Sequence, residues 1–349
     1  MRVAVVGAGR MGQAIARAMG KFDCDLILAD SNPKNLFANN ISWDRDLSKL
    51  TLVQSDGKGY DFIRGADVVI SAMPYHQNLD LAKACVNGKI KYCDLGGSVP
   101  VSDKINHLGK TISDTTLMTD LGLAPGWVNI IAEHMVKGEE VDNVSMMVGG
   151  LPKDPNNYLK YNCTWSYDGL INEYKDQCEI LVNGMQTIVS GMDGLVTVET
   201  ELGTLEAFYT SGGASHTIRS MQEKGVKNCN YKTLRYQGHC QAVKFLMNEC
   251  NLSDESLKEV FKRACPPAED IVIIRVEVDD KIYETVIESN EKFSAMQQAT
   301  AFPIAAAAEI IGEGDIGGIL GYNDIPYDRF NKNLDYLFGE MDTETSENE

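Results

Sequence analysis

The feature that most constrains this chain is Gly7-Ala8-Gly9-Arg10-Met11-Gly12. It is a GxGxxG string set immediately behind the apolar run Val3-Ala4-Val5-Val6 and ahead of the small and apolar stretch from Gly12 to Met19. The apolar run reads as a strand buried on both faces, and the stretch after it as a tightly packed helix. Glycines at this spacing allow a tight turn and let the backbone approach a pyrophosphate held at the helix N-terminus. Asp30, eighteen residues beyond Gly12, closes a second apolar run, Leu26-Ile27-Leu28-Ala29. A carboxylate there accepts hydrogen bonds from a ribose 2′-hydroxyl and repels a 2′-phosphate; alternatively it caps the turn that follows. The string therefore predicts a dinucleotide site built from Gly7, Gly9, Arg10, Met11, Gly12 and Asp30. Ser31, Asn32 and Pro33 offer no Arg to a 2′-phosphate, so NAD is favoured, while Lys34 keeps NADP possible.

Further apolar runs follow at Leu50 to Gln54, Val68 to Ala72, Lys91 to Leu95 and Thr116 to Leu121, with helical stretches between them, most clearly Asn78 to Val86. Strand and helix alternating at this spacing predict an α/β domain, a Rossmann-type doubly wound parallel sheet with right-handed crossovers, completed by the sixth run. Ser71, Ala72, Met73 and Pro74 fall at the carboxyl end of the fourth strand, beside the topological switch point where the rest of the cofactor should run. Asp94, Gly96 and Gly97 occupy the same edge on the fifth strand, and the segment from Asp120 through Gly122 to Gly126 on the sixth. Nicotinamide and substrate are expected to meet near these two loops. Asp94 and Asp120 read equally as carboxylates that satisfy loop amides and as catalytic or substrate-binding groups.

After Pro125-Gly126 the texture changes. A helix from about Trp127 to Val136 leads into hairpin signals: Asn183-Gly184 between Ile180 and Met185, and Asp279-Asp280 between two alternating runs, Ile271 to Val278 and Lys281 to Glu288. Helices are expected from His239 to Cys250 and from Ser253, as cap, to Ala264. These signals predict an inserted α+β domain with a mostly antiparallel sheet. An alanine-rich helix from Ser294 to Ile311 is too small-faced for such a layer and is expected to pack back on the first domain. The expected division is 1–125 with about 294–339, then 126–293, with 340–349 as an acidic disordered tail. Within the second domain Trp165 and Arg235 are candidate substrate contacts, Arg235 by forking a carboxylate. His239 is a candidate acid/base and substrate contact, titrating where amine chemistry needs it, although a histidine at a helix start also serves structure.

The 349 residues carry 32 Lys and Arg against 50 Asp and Glu, a formal charge of −18. Such a surface repels phosphate backbones and anionic lipid heads, so neither nucleic acid nor a membrane is an expected partner. Nine scattered cysteines form no CxxC pair and are odd in number, which argues against zinc and disulfides and for a cytoplasmic setting. The apolar run at the N-terminus is too short for a signal peptide, and the five histidines lack metal-ligand spacing. Apolar strand faces in the second domain make a homo-oligomer the expected state.

Four segments carry a resemblance: DLGLAPGWVNIIAEH (120–134), YNCTWSYDGLINEY (161–174), LEAFYTSGG (205–213) and TLRYQGH (233–239). With the N-terminal GAGRMG, and in this order, they make the chain similar to the saccharopine dehydrogenase-like oxidoreductases, and within them to the lysine 6-dehydrogenase branch, from Met1 to about Phe338. The resemblance implies a dinucleotide domain closed by the C-terminal helix, an inserted domain for substrate and subunit contacts, and NAD(P)-dependent oxidation at an amino-acid C–N bond. In lysine-type members the ε-amine is oxidised. The amine must be neutral for hydride to leave, and Asp120 or His239 would serve as base while Arg235 holds the α-carboxylate. The alternatives are a saccharopine dehydrogenase or reductase using NAD(P), and a catalytically silent dinucleotide sensor. Relatives carry Pro-Glu where this chain has Tyr322-Asn323-Asp324, a loop expected to lie away from the nicotinamide.

Overall fold

The structure, a computed structural model, describes residues 1–36, 47–55, 59–110, 114–314 and 317–343. The chain forms two compact units, Met1–Ile130 with Ala299–Glu349, and Ile131–Gln298 between them. The boundaries thus fall at 130/131 and 298/299 rather than at 125/126 and 293/294, because the dividing points lie inside helices, which do not punctuate a sequence.

In the first unit β1 (Arg2–Val6), β2 (Asp25–Asp30), β3 (Leu50–Gln54), β4 (Val68–Ser71), β5 (Lys91–Asp94) and β6 (Thr116–Met118) alternate with α1 (Arg10–Met19), α2 (Pro33–Leu36), α3 (Asn78–Gly88) and α4 (Val99–Gly109). α5 (Trp127–Met135) then leads out of it. The apolar runs are strands for the expected reason: Val3, Ala4, Val5, Leu26, Leu28, Val68 and Ile70 are all buried. On one face Ala4, Val6, Val69, Leu81, Tyr92, Ile105 and Leu117 form a core between the strands and α3 and α4.

The second unit contains β7 (Asn143–Pro152), α6 (Tyr167–Lys175), β8 (Gln177–Val182), β9 (Met185–Ser190), β10 (Val196–Thr200), β11 (Gly203–Tyr209), α7 (Thr217–Glu223), β12 (Asn228–Tyr236), α8 (His239–Lys244), α9 (Asp254–Ala264), β13 (Asp270–Val278) and β14 (Lys281–Glu288). Its sheet runs β10-β11-β12-β7-β13-β14, with β8 joined to β12 and β9 to β8. All pairs are antiparallel except β12 with β7. Alternation sorts the side chains: Leu205, Ala207 and Leu234 pack on one face with Met147 and Ile273, while Phe208 packs on the other with Tyr161, Tyr174, Val243 and Phe261. Asn183 and Gly184 both have positive φ, 50° and 78°, as a type I′ turn requires. The helix expected from His239 to Cys250 is α-helical only to Lys244, and a π-helical turn, Phe245–Glu249, follows.

The chain returns to the first unit through α10 (Ala295–Glu313), β15 (Gly318–Ile319) and α11 (Tyr327–Thr343). From Ala299 onward α10 belongs to the first unit, as its alanine content predicts. The first sheet is therefore not completed by β6. It has seven strands in the order β15-β6-β5-β4-β1-β2-β3, all pairs parallel. α11 extends to Thr343, so the first residues of the expected tail are helical, and 344–349 lie outside the described residues. No helix among the described residues is long and apolar enough to cross a membrane.

Candidate active site

In the first unit the three glycines of the turn do different work. A Cβ on Gly12 would sit 1.7 Å from the Gly7 carbonyl oxygen, and one on Gly7, whose φ is +99°, would sit 2.7 Å from the Ala72 carbonyl oxygen. Both positions are closed by the protein's own backbone. A Cβ on Gly9 would meet no atom within 4 Å, so the approach to the N-terminus of α1 is open there. Arg10 is exposed and Met11 partly exposed beside it. An open backbone approach beside a helix N-terminus fits a pyrophosphate.

Asp30 fulfils the second of its expected readings, the turn cap. Its Oδ2 accepts from the Ala8 amide at 2.6 Å and from Asn35 Nδ2 at 3.2 Å, while Oδ1 accepts from the Asn32 amide at 2.7 Å. It ties the glycine turn to the end of β2, caps the next turn, and remains partly exposed. Ser71 is buried and donates to Asn78 Oδ1 at 2.8 Å, fixing the start of α3, whereas Ala72, Met73 and Pro74 stay accessible.

Asp94 is fully buried. One carboxylate oxygen accepts from the amides of Gly96 (2.8 Å) and Asp120 (3.0 Å), the other from the Tyr92 hydroxyl (2.8 Å). Burial first, and then the neighbouring Asp120, push its carboxyl up to about 7 against the pull of those donors. Asp120 has φ +64° and is only 2% exposed, and its two oxygens accept from the hydroxyls of Ser102 (2.8 Å) and Thr119 (3.2 Å). Gly96, also at positive φ, leaves no room for a Cβ, which would lie 2.3 Å from the Asp120 Oδ1. The Asp120 carboxylate is enclosed, engaged and braces the loops, a placement that does not favour its expected role as base. Gly122 and Gly126 press together so closely that a Cβ on Gly126 would lie 2.1 Å from the Gly122 oxygen; Gly122 is a packing glycine. Gly97 stays exposed. The Tyr322 hydroxyl donates to the Asp120 carbonyl at 3.0 Å, so the loop at 322–324 braces this turn.

The second unit holds the other candidates. Arg235 is 3% exposed on β12; its Nε donates to the Tyr174 hydroxyl (3.1 Å), its Nη1 to the Leu234 carbonyl (2.9 Å), and its guanidinium lies over the Tyr161 ring at 4.7 Å. His239 is 0% exposed, with Nδ1 2.7 Å from the Leu159 carbonyl and Nε2 2.9 Å from the Tyr174 hydroxyl. Only a ring proton on Nδ1 suits a carbonyl partner, so Nε2 accepts from Tyr174, which in turn accepts from Arg235. Burial, then the nearby Arg235, push the imidazole down to about 3. His239 is thus a neutral, enclosed ring that orients Tyr174, a placement that does not favour the acid/base or substrate contact expected for it. Trp165 is partly exposed, donates to the Tyr161 hydroxyl at 3.0 Å, and lies across Gly169.

Sequence reasoning missed Tyr161 and Tyr174, although both fall inside the YNCTWSYDGLINEY segment. Nothing in their spacing marks them; only the fold brings α6 beside β12. Glu206 was also missed: its buried carboxylate accepts from the amides of Gly238 (2.8 Å) and Cys240 (2.6 Å) and so caps α8.

Two family models match the chain, "Saccharopine dehydrogenase NADP binding domain" over residues 3–117 and "Saccharopine dehydrogenase C-terminal domain" over 122–342. Among curated proteins the chain is 22% identical to mitochondrial alpha-aminoadipic semialdehyde synthase of Rattus norvegicus, over 69% of this chain and 27% of that one. It is 25% identical to the NADP(+), L-glutamate-forming saccharopine dehydrogenase of Pyricularia oryzae, over 66% of this chain and 54% of that one. It therefore spans only part of the length of these relatives. Among solved structures, the L-Glu-forming saccharopine dehydrogenase of Saccharomyces cerevisiae superposes with a TM-score of 0.71 at 16% identity, over 95% of this chain and 96% of that one. The homospermidine synthase of Legionella pneumophila, in complex with NAD, gives 0.65 at 13% identity, over 96% and 89%.

Proposed function

Because the chain belongs to the saccharopine dehydrogenase family, we propose that it is an NAD(P)-dependent oxidoreductase acting at an amino-acid C–N bond, with the ε-amine of L-lysine or a close analogue as donor. The observation that carries this reading is the buried Arg235, held by Tyr174 and Leu234 on the substrate unit, alongside the open glycine turn braced by Asp30. The first is a fixed cation suited to a substrate carboxylate, the second a backbone cradle suited to a dinucleotide.

Each residue's part follows from its surroundings. Gly9 and the first turn of α1 receive the pyrophosphate, and Asp30 receives the adenosine ribose; its negative charge favours NAD over NADP. The bound nicotinamide supplies the acceptor for the hydride leaving the carbon next to nitrogen. Tyr174 and His239 keep the Arg235 fork from swinging, so the carboxylate is gripped in one orientation. No enclosed side chain of the set acts as base, so a neutral amine is supplied by alkaline solvent or desolvation.

The second reading is oxidation of saccharopine, a secondary amine, supported by what the curated relatives are named for. The experiment is nicotinamide reduction with NAD or NADP and a panel of L-lysine, L-saccharopine, L-ornithine and diamines. Turnover with lysine and NAD upholds the first reading; turnover with saccharopine alone replaces it with the second. Binding of NAD without oxidation of any amine leaves only a sensor.

We further assign the protein to a reducing compartment such as the cytoplasm, which suits nine free thiols. Self-association through the second unit is supported by Met185 and Ile188, 67% and 56% exposed on β9, which pairs only with β8. Light scattering tests it, and a monomer at micromolar concentration overturns it.

A further inference from the structure

Glu173 directly precedes Tyr174, whose hydroxyl holds the Arg235 Nε at 3.1 Å, so two opposite charges belong to one cluster of the second unit. Yet no ion pair or hydrogen bond joins them among the described residues. Arg235 uses Nε and Nη1 within the protein, and its Nη2 has no partner among the described residues. The backbone carbonyl of the partly buried Glu173 accepts from the Ser211 amide at 3.0 Å, and its carboxylate has no partner among the described residues. Two more polar groups of this unit have no hydrogen-bond partner among the described residues. The Tyr231 hydroxyl, on the same face of β12 as Arg235 and within electrostatic reach of Glu173, has no partner. Nor has the Thr210 Oγ1, enclosed at 3% exposure two residues beyond Phe208.

Opposite charges sheltered from water ordinarily close on each other, because an unpaired one is costly. Here both are held back. The guanidinium is pinned by Tyr174 and stacked on Tyr161, and Glu173 is carried on the last turn of α6 next to the anchored Tyr174. Two unpaired charges of opposite sign, carried on packed elements, match one ligand chemistry, a zwitterion. We propose that Glu173 and Arg235 together bind the α-amino-acid head of the substrate, Glu173 accepting the α-ammonium and Arg235 donating to the α-carboxylate. The distal nitrogen is then the one left for oxidation. This rests on the proposed function for the identity of the unit as substrate-binding, and it adds a specificity residue, since Glu173 rejects carboxylates that lack an α-ammonium and Arg235 rejects diamines.

The test is calorimetric binding of L-norleucine and of hexanoate at pH 8.5, with and without saturating NAD. Norleucine is expected to bind the wild-type protein at least tenfold more tightly than hexanoate. Glu173→Gln should bring norleucine down to the hexanoate level while leaving hexanoate and NAD affinity unchanged, and Glu173→Asp should restore part of the preference. Equal binding of the two ligands by wild type, or an undiminished preference in Glu173→Gln, overturns the proposal. If the Gln variant fails to bind NAD, the wild-type comparison decides. Neither ligand has a distal amine to oxidise, so the outcome is independent of turnover: a norleucine preference without oxidation of any amine keeps this inference and sinks the redox reading. Oxidation of lysine without that preference does the reverse.

Discussion

Gly9 and Gly12 stand three residues apart and fail differently when substituted. Gly12→Ala drives a methyl group into the Gly7 carbonyl, so the turn must shift; a loss of roughly 1–3 kcal/mol in denaturant unfolding is expected, together with loss of dinucleotide binding. Gly9→Ala meets nothing in the protein and should unfold at the wild-type midpoint while dinucleotide affinity falls about tenfold or more, the methyl group standing where the pyrophosphate approaches. His239 offers a pH test. Its folded-state pKa is lowered from 6.5 to about 3, so below about 6.5 the unfolded chain takes up a proton that the folded chain refuses, and stability falls with pH down to about 3. His239→Phe should flatten that part of the stability profile, measured by unfolding from pH 4 to 7, and should lower stability at pH 8 by stranding the Tyr174 hydroxyl and the Leu159 carbonyl. Glu173 runs the other way in function: burial raises its carboxyl to about 7, and protonation as pH falls through that value removes the charge that attracts an ammonium. Norleucine affinity should therefore drop below pH 7, whereas a flat profile would show that the carboxylate takes no part. At this scale the glycine turn and Asp30 were readable because their chemistry is local. The chemistry of Arg235 was not, since Tyr161 and Tyr174 reach it only through the fold, nor was that of His239, because titration in water says nothing about a ring sealed at 0% exposure.

Among the elements, α10 owes its start to a residue far back in the chain. Asp270, at the head of β13, accepts from the amides of Ala295 (2.7 Å) and Met296 (3.0 Å), satisfying the donors that a helix N-terminus leaves open. Asp270→Ala should cost roughly 1–2 kcal/mol, read as a lower melting temperature, and Asp270→Asn, which keeps one acceptor, should cost less. The Asn183-Gly184 and Asp279-Asp280 turns were legible because two-residue hairpins impose left-handed backbone on particular residue types. The two-residue β15 was not, because so short a run cannot display any periodicity. The π-helical turn after Lys244 escaped for a similar reason, its apolar pattern differing little from that of an α-helix.

Across the whole molecule, eight of the nine cysteines are buried and Cys250 alone is exposed. A thiol reagent should titrate one group in the native protein and nine after denaturation, and rapid reaction of several native thiols would contradict the packing described. Composition predicted this texture of a thiol-rich, acidic globular chain, and strand–helix alternation predicted the doubly wound sheet, but the edge strand added after the insertion was out of reach of both.

That late edge strand sets an order of assembly. Gly318–Ile319 pairs with Thr116–Leu117, so on a ribosome the six earlier strands emerge with β6 as an open edge and wait while all of Ile131–Gln298 is synthesised. The intervening unit is continuous in the chain and can close on itself first. Biogenesis therefore runs opposite to the reading direction: the segment encoded in the middle matures before the one encoded at the start, and the nascent nucleotide-binding half is the stage most exposed to misassembly.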